Sequence, residues 1–198
     1  MRMAYNWIRI ASCFLFASML FLHSCSPVQL TSAWSDKNEQ AMSFSRILVV
    51  SFARDTAKRK LGEDHIKAEM VRHGQAAFTS LDIFGPGFAD ADSLSRRQLM
   101  LEKGFDGLVT FRILNVDDDY EPNSLFTLHP SRSIVEQDVY MSSELYRVKD
   151  NKMIWHGQSS SSSTDPTEDM AIRYARNIVR DMIHKRVFVI GNKRLAAY

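Results

Sequence analysis

Ile47-Leu48-Val49-Val50-Ser51-Phe52 is a continuous, largely β-branched run, the pattern of a strand buried on both faces rather than one with a solvent side. Such a strand belongs inside a sheet that carries helices. The residues downstream agree. Residues 55–73 predict a helix with Asp55 as N-cap, Ala57, Leu61, Ala68 and Val71 or Met70 on its apolar side, and Gly74 as the stop. Gly62 inside it costs up to about 1 kcal/mol relative to Ala. Residues 75–84 alternate weakly through Ala77, Phe78, Leu81 and Ile83 and predict a second strand, closed by Gly85-Pro86-Gly87. A second helix follows over 93–103, with Leu94, Leu99, Met100 and Leu101 apolar, and a third strand over 105–116, with Leu108, Val109, Phe111 and Ile113 as core residues. Strands joined through helices imply parallel crossovers.

The second half changes style. Residues 117–133 hold two prolines and a triple Asp and read as a loop or hairpin tip. Residues 134–148 alternate through Val139, Met141, Ser143, Leu145 and Arg147, Lys149-Asp150-Asn151-Lys152 forms a turn, and residues 153–162 return as an antiparallel partner. Asp165-Pro166 then starts a helix whose Met170, Ala171, Tyr174, Ala175, Ile178, Val179, Met182 and Ile183 recur at three and four. The order is β-α-β-α-β-β-β-α, an α/β fold with a mixed sheet and helices packed on it in two or three layers. Residues 44–190 form one domain, 187–190 add a short edge strand, and 191–198 are a loose tail.

Upstream, residues 25–43 are polar and without period, and predict a tether, from which Trp34 folds back onto the domain. Before them an apolar run from Ile8 to Leu22 follows Arg2 and ends in Leu22-His23-Ser24-Cys25. A basic start, a short apolar stretch and a small residue before a cut are what a secretory signal requires. The run is shorter than the about 20 apolar residues of a membrane span and is interrupted by Arg9, Ser12 and Ser18. Leu22, Ser24 and Cys25 resemble the lipobox of bacterial lipoproteins. The resemblance implies removal of residues 1–24 and acylation of Cys25, with Ser26 matching the outer-membrane sorting pattern. A lipid-anchored domain on the periplasmic face of the outer membrane is therefore expected.

The whole chain holds 25 basic and 23 acidic residues. Cutting after Ser24 removes Arg2 and Arg9 and no acid, which leaves a neutral protein and no electrostatic case for a nucleic-acid partner. Cys13 leaves with the signal and the Cys25 thiol is consumed, so neither a disulfide nor a Cys-based metal site is expected.

The strand from Ile47 to Phe52, Arg59 and Glu69 on the following helix, His73-Gly74, Gly104-Phe105-Asp106-Gly107 and Ile154-Trp155-His156-Gly157 together resemble a family of small bacterial lipoproteins without an assigned activity. The fold of that family is similar to the N-terminal domain of the Tol-system β-propeller protein and to lipoproteins that assist curli export or activate penicillin-binding proteins. The resemblance implies a docking module and assigns no interface residue.

Residues that could carry chemistry are scattered. His65, His73, His129, His156 and His184 show no metal-ligand spacing. Asp117-Asp118-Asp119 lacks the Gly and distal Glu of a calcium loop, and Asp90 with Asp92 fails the same test. Ser159 to Ser163 offer hydroxyls without a G-x-S-x-G elbow and read as a Ser-rich edge strand or linker. Gly85-Pro86-Gly87 lacks the Lys and spacing of a phosphate loop. Arg54, Lys58, Arg59 and Lys60 read as a solvated basic face that opposes the helix dipole. The expectation is a non-catalytic envelope module without cofactor or metal, bound to the membrane through Cys25 and to an envelope protein or glycan. The competing expectation is a cell-wall-directed or metal-dependent hydrolase using Asp117, Asp118 and His156.

Overall fold

The computed structural model describes residues 28–39, 41–114, 139–161 and 168–188. Cys25 and its lipobox, Asp117 to Asp119, His129, Ser162 and Ser163, Asp165-Pro166 and the 191–198 tail lie outside the described residues. The elements are β1 (Val28–Ser35), β2 (Ile47–Ser51), α1 (Thr56–Arg72), β3 (Ala77–Thr79), α2 (Ser80–Phe84), a 3-10 turn (Pro86–Asp90), α3 (Ser93–Glu102), β4 (Gly107–Leu114), β5 (Val139–Arg147), β6 (Lys152–Ser161) and α4 (Glu168–His184). Six strands form one sheet in the order β1-β6-β5-β4-β2-β3. Strand β2 pairs in parallel with β3 and β4, and the β4-β5-β6-β1 half is antiparallel. The mixed α/β sheet expected from the sequence is present.

Each face of the sheet has its own core. On one, α1 and α4 pack over Ile47, Val49, Val109, Phe111, Leu145 and the fully enclosed Trp155. On the other, α2, the 3-10 turn and α3 cover Leu48, Val50, Phe88, Met100, Phe105 and Val148. Helix α4 supplies Met170, Tyr174, Ala175, Ile178, Val179 and Met182, the buried stripe its sequence period announces. Trp155 donates its indole N–H to Asp181 of the same helix at 2.8 Å.

Four local expectations change. Residues 28–35, within the stretch read as a tether, form edge strand β1, which pairs with β6 and places Val28, Leu30 and Ala33 against α4. An edge strand with one wet side needs few apolar residues, so its sequence is polar. β6 is consequently an interior strand, not a Ser-rich edge, with Ser159 and Ser161 buried. The second strand stops at Thr79 and residues 80–84 are helical, because the Thr79 hydroxyl caps Asp82 and the Glu63 carboxylate accepts the Leu81 N–H. In α3 only Met100 is buried, and Leu94, Leu99 and Leu101 are exposed. At the C-terminal end, the described contact is one parallel bridge, Met42 to Phe188.

Gly62 has a purpose that helix propensity misses. An added Cβ would lie 2.1 Å from Cζ of Phe111, so the glycine lets the ring fit under α1.

Candidate functional site

Three polar assemblies stand out. The first is inside the fold. The Glu63 carboxylate, fully enclosed, accepts the Ser51 N–H at 2.9 Å, the Ser80 hydroxyl at 2.7 Å, Arg59 Nε at 3.1 Å and the Leu81 N–H at 3.1 Å. Arg59 also donates to the Ser80 hydroxyl oxygen at 2.7 Å and the Pro86 carbonyl at 2.6 Å. A buried charge pair is tolerable only when its remaining hydrogen-bond capacity is used, and here every bond ends on α1, the end of β2 or the β3–α2 turn and the residues just after it. The network fastens those elements, and both Arg59 and Glu63 are buried within it. Arg59 is thus buried rather than part of a solvated basic face, while Arg54, Lys58 and Lys60 are exposed.

The second assembly lies on the opposite face of the sheet. On that face α3 reaches β5 near Tyr146, while Trp34 of β1 and Tyr140 at the far end of β5 are exposed. Register puts Ser142, Glu144 and Tyr146 of β5, His156 and Gln158 of β6, and Ser32 and Trp34 of β1 on this side. Glu144 is buried at its centre. It accepts the Ser142 hydroxyl at 2.7 Å and the Thr110 hydroxyl, and stands 3.7 Å from His156 Nδ1. Trp34, expected to fold back, is held in β1 and half exposed.

The third is a cleft of about 190 Å³ between α3 and β4. Arg96, Arg97, Arg112 and Tyr146 line it, together with Ser93 and Thr110. Arg96 donates to the carbonyls of Ala89 and Ala91, both at 2.7 Å, and Arg97 to those of Val148 and Lys149. The guanidiniums of Arg96 and Arg112 lie 5.2 and 5.5 Å from the Phe52 ring centre. Burial lowers the Arg96 pKa, and the charge on Arg112 lowers it further against the opposing pull of Asp92. Burial and Glu144 raise the Tyr146 phenol, while Arg112 pulls it down.

The remaining sequence candidates are used locally. Asp92 caps α3 by accepting the Leu94 and Ser95 N–H groups, both at 3.0 Å. Asp90 ends the 3-10 turn, and Gly85 starts it at φ 80°. His73 lies 3.3 Å from Glu69 one helical turn before it, and His65 3.9 Å from Glu168. Among the described residues, no three His, Cys, Asp or Glu side chains converge as a metal would require. The odd positions of β5, Val139 to Arg147, draw the eye in the sequence because they carry the core. The even positions Tyr140, Ser142, Glu144 and Tyr146 carry the polar site, and their shared phase is the signal by which it could be found.

No family model matches the chain, and no curated protein matches it in sequence. Solved structures do. The chain is similar to a leucine-to-methionine variant of the PelC dodecamer from Paraburkholderia phytofirmans, at 9% identity and TM-score 0.42, over 81% of this chain and 97% of that one. A second PelC dodecamer structure from the same organism matches at 8% identity and TM-score 0.40, over 82% and 98%. Lipoprotein GNA1162 from Neisseria meningitidis matches at 15% identity and TM-score 0.41, over 71% and 99%. At these values no residue role, partner or assembly transfers to this chain.

Proposed function

We propose that the protein is a lipid-anchored envelope module that binds a protein or glycan partner through the open β5-β6-β1 face, without catalysing a reaction. The observation that carries this reading is the exposure of two aromatic side chains on this face, Trp34 opposite the half-buried His156 and Tyr140 towards the other end of the strands, with Gln158 and Ser32 between them. Aromatic side chains with polar neighbours provide large contact area at low entropic cost, which suits a docking surface. Leu22 to Cys25 support acylation of Cys25, and Ser26 supports the periplasmic face of the outer membrane as its place. The fold likeness to Tol-system and penicillin-binding-protein-activating proteins rests on short sequence motifs alone.

A hydrolase is the second reading, because the His156 imidazole beside the Glu144 carboxylate is half of an acid–base arrangement. One experiment separates the two. A photocrosslinker placed at Trp34 or Tyr140 in cells should yield a discrete adduct that disappears in the Cys25→Ser variant, and His156→Ala should leave the cellular phenotype intact. A null phenotype from His156→Ala with unchanged stability would favour the hydrolase. No adduct at either position would sink the docking face.

A further inference from the structure

The arginine cleft bears on a ligand that the docking face does not require. Arg96 and Arg97 reach it from α3 and Arg112 from β4, and no Asp or Glu is among the residues that line it. Among the described residues, none of the three arginines has a carboxylate within 4 Å. The two acids whose charge reaches the cleft are occupied elsewhere. Glu144 accepts the Thr110 and Ser142 hydroxyls, and Asp92 accepts the first N–H groups of α3.

Arg96 and Arg112 share one phenyl ring, that of Phe52. The charge of the exposed Arg112 acts against that of the partly buried Arg96, and an anion between them offsets that repulsion. Arg96 cannot move away, because two carbonyls hold its Nη1. Guanidinium forks match the oxygens of phosphate in two-point geometry, and the Ser93 and Tyr146 hydroxyls add donors to the same space. The α3 N-terminus contributes little, since Asp92 has already taken its free N–H groups. At about 190 Å³ the cleft is below the about 300–1,000 Å³ of a pocket for a whole drug-sized ligand, so it fits one small charged group.

We propose that this cleft binds a phosphate-type oxyanion, presented either as a free ion or as the headgroup of an anionic lipid. Arg112 is the informative position, because it is exposed and its contact in the described structure is the Phe52 ring. Changing Arg96 or Arg97 would also release backbone carbonyls and confuse binding with folding.

The test uses the full chain in nonionic detergent micelles at constant ionic strength, with chloride as the control anion. Inorganic phosphate is titrated in one arm and phosphatidylglycerol is mixed into the micelles in the other, with binding read by calorimetry and by the unfolding midpoint. Binding of phosphate that weakens at least tenfold in Arg112→Gln, with the ligand-free midpoint unchanged, supports the free ion. The same loss seen with phosphatidylglycerol alone supports the headgroup. No response to either probe beyond chloride, or a response that Arg112→Gln retains in full, overturns the proposal. None of these outcomes touches the docking reading, which depends on Trp34 and Tyr140.

Discussion

Trp155 and Trp34 stand one register step apart on neighbouring strands, for Trp155 pairs with Ser35 and Trp34 with His156. Trp155 is fully enclosed and Trp34 is 51% exposed. A strand turns successive side chains to opposite faces, so that single step carries one indole under α4 and the other into solvent. The difference extends to the whole sheet. Its α1/α4 face is a continuous apolar core, whereas its other face is apolar only from β3 to β4 and then becomes polar around Glu144. One face is buried along its length, and the other is covered at one end and exposes Trp34 and Tyr140 at the other.

The comparison breaks most directly at the two tryptophans. Trp155→Ala should cost about 3–5 kcal/mol, since it empties an enclosed site and removes the indole donor from the Asp181 carboxylate, whereas Trp34→Ala should stay within about 0.5 kcal/mol. Urea denaturation of both variants decides it. Equal costs would mean that the faces are not specialised as described.

Gly62→Ala sharpens the same contrast from the α1 side. Helix propensity alone would make it stabilising, but the new Cβ meets the Phe111 ring, so a loss of about 1–3 kcal/mol is expected. A raised unfolding midpoint would show that Phe111 has room to move.

The smallest effect belongs to the β5–β6 turn, where Arg147 pairs with Asp150 and Glu39. The Arg147 hydrogen bond holds the Asp150 carboxyl down at about 2, against an ordinary 3.8. Its folded value is depressed, so its contribution is present above pH 3.8 and is lost as pH falls through about 2. Asp150→Asn should flatten part of the acid limb of a midpoint-against-pH curve in that window and leave neutral pH nearly unchanged. A variant whose acid limb matches the wild type would remove this pair from the account.

How much of this was legible in the residues follows from how much depends on pairing at a distance. Ile47 to Phe52 and the stripe of α4 announce their burial by local pattern alone, and the patterns between them give the element order from β2 to α4 except for α2 and the 3-10 turn, because residues 80–84 alternate as a strand would. Helix α1 misleads, because Arg59 and Glu63 occupy its core side and become acceptable only through Ser51, Ser80 and Pro86, which lie up to 27 residues away. Strand β1 is hidden for the same reason. Its ladder partner, β6, is more than 100 residues downstream, and half its side chains face water. The cleft joins α3 to β4 and β5, so no single segment displays three arginines together.

Val28, the first described residue of strand β1, stands three residues after Cys25. Three extended residues span only about 10 Å. Under the proposed acylation of Cys25, the domain would be moored close to the bilayer instead of drifting on a long leash. The rim of the sheet where Val28 meets Ser161 would then be the side held down, and the molecule would swivel about that point without standing off from the surface. Under that proposal a partner of the open face would itself have to reach the headgroup zone, its distance from the surface limited by the three residues from Cys25 to Val28.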